Sequence, residues 1–336
     1  MGASPRRVAR GISTLCGMHY RRIAGDVNAA RFPEPDAGHT GSNTPSPGPW
    51  PPGKQGSARG QYGAWHSQPW SRYVALGDSF TAGVGDPEPL SPGGMRGWAD
   101  RIAEELGEGR EFGYANLAIS GLVLRDILDQ QLGPALNLKP DLVTLSAGGN
   151  DLVFHRGDPD RMAAALDDAV AALSATGATV VLFTGPDWGE TPVFGHIRGK
   201  VAVFNENIRV IAARHDGVIA DLWALRQLSD PRMWDPDRLH FSPLGHHTIA
   251  AMVLDTLSVP HRLRPLEPKP MPPGNWRETR AGDLAWMAHY MLPWMVSRIR
   301  PRADTLPRQA KRPLPGPPPG SRSPGPAPLV RPGSVG

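Results

Sequence analysis

Four short blocks of the 336-residue sequence hold side chains suited to nucleophilic chemistry. They are Gly77-Asp78-Ser79-Phe80-Thr81-Ala82-Gly83, Ser120-Gly121, Gly148-Gly149-Asn150-Asp151 and Asp237-Arg238-Leu239-His240. Together they offer a serine, two groups able to donate hydrogen bonds, and a histidine with an aspartate three residues before it. That set can supply a nucleophile, a base, an orienting acid and oxyanion donors, the parts of a hydrolytic site. Each block also has a plainer reading. Gly-Asp-Ser alone is an ordinary turn or helix cap, and Gly121 alone is a turn needing positive φ. Asn150 can cap a helix that begins near Asp151, and Asp237 with His240 can form a local surface pair. It is their occurrence together that points to chemistry.

Other candidates fall away on spacing. His246 and His247 are consecutive on one helical stretch and cannot both face a site. His155, His196 and His215 have no partner at metal-ligand spacing, and Asp78 reads as a carboxylate accepting backbone hydrogen bonds beside Ser79. Gly83-Val84-Gly85 begins like a dinucleotide fingerprint but lacks its final glycine, and there is no GxxxxGK[ST] loop. The G-x-S-x-G elbow of α/β-hydrolases is absent around Ser79. Cys16 is the sole cysteine, which excludes an intrachain disulfide and a cysteine-based metal site.

These blocks must be held by a scaffold, and between Arg72 and Leu257 short apolar runs alternate with amphipathic stretches. That is the pattern of a parallel sheet covered on both faces. Strands are predicted at 73–76, 114–119, 142–145, 179–183 and 218–220. Helices are predicted at 97–106, 122–132 (stopped by Gly133-Pro134), 160–175, 200–215 and 242–257. Gly177 stands where a helix end wants positive φ, and Ser242-Pro243 reads as an N-cap with proline in the first turn. The expected fold is a three-layer α/β/α sandwich around five parallel strands, and such sheets bind ligands beyond the carboxyl ends of the strands. The blocks fall there or in adjacent loops.

In order and spacing the four blocks resemble those of the SGNH (GDSL-type) hydrolases, over Tyr73 to Leu257. The wording YVALGDSFTAGVGD and DLVTLSAGGNDL is similar to the actinobacterial branch of that family. The resemblance implies a flavodoxin-like SGNH fold with Ser79 as nucleophile and His240 with Asp237 completing a triad. It implies oxyanion donors from the backbone N–H of Ser79 and Gly121 and the side-chain amide of Asn150. The expected activity is hydrolysis of small or medium acyl esters through an acyl-enzyme, with no metal or cofactor. A carbohydrate O-deacetylase or a lysophospholipase would use the same triad, and a non-catalytic binding module is the alternative of another class. Trp188 to Lys200 matches no family block.

The flanks differ from this middle. Residues 1–70 carry eight basic against three acidic residues, and 261–336 thirteen against four, while 71–260 carry fifteen against twenty-five. The leader (1–70) and the tail (301–336) are rich in proline and read as disordered, with PLPGPPPG at 313–320 favouring polyproline II. A domain spanning 71–260 is therefore expected to fold by itself. Within 261–300, Asp283 to Ile299 repeats Trp286, Tyr290 and Trp294 every four residues. It reads as a terminal helix docked on the domain or an interfacial helix meeting a membrane or lipid surface (283–299). The folded part is acidic, so no nucleic-acid partner is expected, and a monomer is. Arg6-Arg7 is not followed by an apolar stretch, Gly2 lacks the Ser or Thr at position 6 that myristoylation needs, and no run approaches a membrane span. A cytoplasmic location is the expectation.

Overall fold

The computed structural model describes residues 69–189, 194–267 and 309–320. The leader up to residue 68 and the stretch 283–299, where a helix is expected, lie outside the described residues. Five parallel strands form where the apolar runs predict them: β1 (Arg72–Leu76), β2 (Gly113–Asn116), β3 (Leu142–Leu145), β4 (Thr179–Phe183) and β5 (Val218–Ala220). Period-two alternation divides their side chains between two cores. Val74, Leu76, Val143, Leu145, Val180 and Leu182 face one side, and Tyr73, Ala75, Val181 and Phe183 the other. The first side is covered by α3 (Leu124–Ile127), α6 (Pro159–Ser174) and α7 (Arg198–Arg214). The second is covered by α2 (Gly97–Leu106) and α8 (Pro243–Thr256). Ser242 caps α8 by accepting from the Gly245 N–H at 3.2 Å, with Pro243 at its first position.

Two expectations are corrected. Among the described residues the sheet has six strands, in the order β5-β4-β3-β1-β2-β6. The sixth, β6 (Arg312–Gly316), lies in the tail assigned to disorder, and it pairs antiparallel with β2. An edge strand needs ladder hydrogen bonds on one side only, so its prolines are tolerated there. Just before it, Lys311 sends its ammonium inward to Asp100 Oδ2 at 2.9 Å and the Arg96 carbonyl at 2.7 Å. A chain ending near residue 260 therefore lacks one strand and a buried cation.

The second correction concerns Gly133-Pro134, which does not stop its helix. After α3 the chain opens into a single π-turn (Leu128–Leu132) and continues as α4 (Gly133–Asn137). Pro134 has no N–H to give the preceding turn, and its ring crowds the carbonyl four residues back. Widening the turn relieves both and keeps the axis running.

Candidate active site

The strand order places the site. From β1 the chain moves outward to β2, then crosses back to β3 on the other flank of β1. The loops beyond β1 and β3 therefore part and leave a crevice between them. Ser79 opens the four-residue helix α1 (Ser79–Ala82) directly after β1. Asp78 caps that helix by accepting from the Phe80 N–H at 3.0 Å. Phe80 anchors it, with ring centroids 5.2 Å from Trp98, 5.6 Å from Phe183 and 5.4 Å from Phe241. Such ring pairs each add about 0.5–1.5 kcal/mol beyond simple burial. The α1 C-terminus packs backbone to backbone on α2. A Cβ on Gly97 would sit 2.4 Å from the Gly83 Cα, so neither position has room for a side chain.

His240 and Asp237 return to Ser79 on the loop after β5. A bridge between Trp234 and Phe241, whose rings stack at 4.4 Å, pinches this loop. The Asp235 N–H donates to the His240 carbonyl at 2.8 Å, and Arg238 turns through a left-handed φ of 55°. Asp237 Oδ1 accepts the backbone N–H groups of Leu239 and His240, both at 2.9 Å. Its Oδ2 lies 2.5 Å from His240 Nδ1, and His240 Nε2 lies 2.9 Å from the Ser79 hydroxyl. Burial works to raise the Asp237 carboxyl. The hydrogen bond and charge of His240, with the two N–H groups, overcome it and hold the carboxyl below the usual carboxylate range.

Asn150 lies across the crevice in α5 (Gly149–Phe154), which follows β3. It does not cap that helix, since Gly148 holds the N-cap position with φ +98°. Its side-chain nitrogen donates to Asp78 Oδ2 at 3.0 Å and to the Leu122 carbonyl at 2.8 Å. Burial pushes the Asp78 carboxyl up to about 6, against the lowering influence of the Phe80 N–H and of His240. Gly121 sits just before Leu122 with φ +80°, which favours glycine. It thus adjoins the Asn150 contact, but it is not among the residues lining the pocket beside Ser79.

That pocket is about 120 Å³, and Ser79, Asn150 and His240 are among the residues that line it. The rest of its wall is mostly apolar and includes Val153, Phe183, Val201, Phe204, Trp234 and Leu239. Two buried carboxamides beside the site were not singled out by the sequence. Asn205 brackets the Gly185 peptide, accepting from its N–H at 2.7 Å and donating to its carbonyl at 3.0 Å. Gln131 treats the Gly77 peptide the same way. The signal for Asn205 was a polar residue on the apolar face that Val201, Phe204 and Ile208 define. Of the other histidines, His246 is fully buried, with its pKa lowered to about 4 by burial and its Nε2 3.0 Å from the Val84 carbonyl. Among the described residues no group of three or more His, Cys, Asp or Glu could hold a metal, and no helix is long and apolar enough to cross a membrane.

Several solved structures are similar to this chain. LAE5, an α/β hydrolase enzyme from the metagenome of Lake Arreo, Spain, is 24% identical over 56% of this chain and 95% of its own, with a TM-score of 0.47. A lipase/acylhydrolase from Enterococcus faecalis is 22% identical over 59% and 99%, with a TM-score of 0.47. Axe2, an acetylxylan esterase from Geobacillus stearothermophilus, is 19% identical over 57% and 97%, also at 0.47. A search of curated proteins gave no match. The model of the GDSL-like lipase/acylhydrolase family matches residues 75–248, just over half of the 336. That span contains Ser79, Gly121, Asn150, Asp237 and His240, and on this match the chain belongs to the GDSL-like lipase/acylhydrolase family.

Proposed function

We propose that the protein is a serine esterase acting on small or medium acyl esters through an acyl-enzyme. The observation that carries this reading is the unbroken hydrogen-bonded line from Asp237 through His240 to Ser79, ending at an apolar pocket. As the Ser79 oxygen attacks the ester carbonyl, His240 Nε2 takes its proton, and Asp237 fixes the tautomer and supports the imidazolium. The carbonyl π electrons move onto oxygen, which the N–H of Ser79 and of Gly121 receive together with the Asn150 amide, one of whose N–H groups turns from Asp78 or the Leu122 carbonyl to the substrate. Collapse of this adduct breaks the bond to the alcohol, which leaves with the proton from His240. Water, deprotonated by His240, then attacks the acyl-enzyme and frees the acid. The apolar pocket walls favour an acyl chain over a sugar ring on that side of Ser79.

A fluorophosphonate probe together with p-nitrophenyl esters of graded chain length tests this reading. Labelling at Ser79, abolished in Ser79→Ala, with preference for short or medium chains is the expected result. No labelling and no turnover would leave a binding module. Preference for acetylated xylan or lysolipid over the simple esters would move the activity to the deacetylase or lysophospholipase class.

A further inference from the structure

β1 ends its ladder at Leu76, which pairs with Leu145, and the next peptide group leaves the sheet. Gly77 therefore needs a donor and an acceptor from elsewhere, since a buried unpaired backbone group is costly. Gln131 supplies both. Its Oε1 accepts the Gly77 N–H at 2.9 Å and its Nε2 donates to the Gly77 carbonyl at 2.8 Å, a carbonyl that also receives the Ile119 N–H at 3.3 Å. Only one orientation of the amide satisfies both atoms, so the two peptide planes on either side of the Gly77 Cα and the side chain fix each other. Gln131 is 2% exposed and lies 54 positions away in sequence. It stands within the π-turn Leu128–Leu132 that Pro134 imposes, and one inserted residue rotates a helix face by about 100°. The site of Gly77 is crowded as well: a Cβ there would lie 2.2 Å from Thr81 Oγ1 and 2.8 Å from the Ser146 carbonyl.

We infer that Gln131 is a positioning residue: by clamping the two peptide groups that flank Gly77 it sets the direction in which the chain leaves β1, and so where the Ser79 oxygen and N–H stand. The inference rests on reading Ser79 as the nucleophile. Ser79 follows the clamped peptide by only two residues, so a small tilt at Gly77 carries directly to the hydroxyl. Misplacement of a reacting atom by about 1 Å can cost on the order of 10² in rate. The clamp touches neither substrate nor His240, so its loss should act on turnover and leave ground-state binding alone.

The test uses the full chain with Gln131→Leu and Gln131→Glu, assayed on p-nitrophenyl butyrate from pH 5 to 9. Gln131→Leu should lower kcat by about 10–100-fold with KM within about twofold. Gln131→Glu supplies a second, chemically specific readout. A protonated glutamic acid can still accept from the Gly77 N–H and donate to its carbonyl, whereas the carboxylate faces that carbonyl with no proton to give. This variant should work at low pH and lose activity as the acid ionises, adding an alkaline limb that the wild type lacks. A Gln131→Leu enzyme with unchanged kcat, or a Gln131→Glu profile that follows the wild type, would overturn the inference. If the wild type itself hydrolyses no ester, only the esterase reading fails. Amide exchange over residues 74–82 then decides the clamp: it must quicken in Gln131→Leu, and unchanged exchange rejects it.

Discussion

Lys311 and Asp100 form an ion pair across 211 residues of sequence, with the ammonium 2.9 Å from the carboxylate and side-chain exposures of 4% and 0%. Tyr114 completes the carboxylate by donating from its hydroxyl at 2.8 Å, and Asn116 donates in turn to Tyr114 and to the Thr81 carbonyl. Removing one member of such a pair strands a charge, which costs about 3–5 kcal/mol. Lys311→Met should lose stability on that scale in urea denaturation. Adding Asp100→Asn should return much of it, because both charges are then gone. A single variant that melts like the wild type would show that the pair contributes nothing.

Ser79→Ala and His240→Ala should each abolish nearly all ester hydrolysis while the melting temperature hardly moves. The two act as one unit, so the double variant should be no worse than either alone. Steady-state kinetics beside thermal melts check this, and several per cent residual activity in either folded variant would break the assignment.

Asn150→Ala should depress kcat by roughly 10²–10³ with little change in KM, the usual effect of losing an oxyanion donor. Asn150→Asp should be at least as damaging, and increasingly so with rising pH. It sets a second carboxylate against Asp78, now 3.0 Å from the amide nitrogen. An active Asn150→Asp enzyme at pH 8 would refute the oxyanion role.

The Asp78 carboxyl gives stability a particular pH slope. Its pKa rises from 3.8 to about 6 on folding, chiefly through burial. The native state therefore holds this proton more tightly than the unfolded chain does. The contribution is complete below pH 3.8 and is lost as pH climbs through about 6, and the difference is worth about 3 kcal/mol. Denaturation curves at pH 4 to 7 should show this slope in the wild type and lose it in Asp78→Asn. Parallel curves for the two proteins would contradict it.

Val153 is half-buried on the pocket wall, so a larger side chain there can enter the pocket without overfilling the core. Val153→Trp should cut kcat/KM for octanoate esters by about 10-fold or more while sparing acetate, on the scale of a few methylenes excluded from an apolar pocket. Equal losses on both esters would mean that the acyl chain lies elsewhere.

The five parallel strands were legible because each is a short, mostly apolar run bounded by turn residues, although β5, at the sheet edge, is only part-buried. The blocks at their ends were legible because nucleophile, amide and histidine must sit where strands stop. What composition hid was context. Pro313 and Pro315 argue against a strand only if both of its edges must be paired, and β6 pairs through one. Gly133-Pro134 argues for a helix end only if the turn cannot widen, and here it widens by one residue. Asn150 looks like a cap until the backbone shows Gly148 in that place. Gln131 gave no local sign, because the groups it holds are distant in sequence, and Asn205 showed only as a polar residue on an apolar helix face.

The prolines of β6 have a consequence for how copies of this molecule meet. β2 without its neighbour would present an open row of backbone donors and acceptors, a template on which strands of other chains add and aggregates grow. β6 covers that row, and its own outer side is depleted of donors, because Pro313 and Pro315 have no N–H. Among the described residues β6 therefore ends the sheet on this flank, with few donors on its outer side for a strand of another copy to pair with.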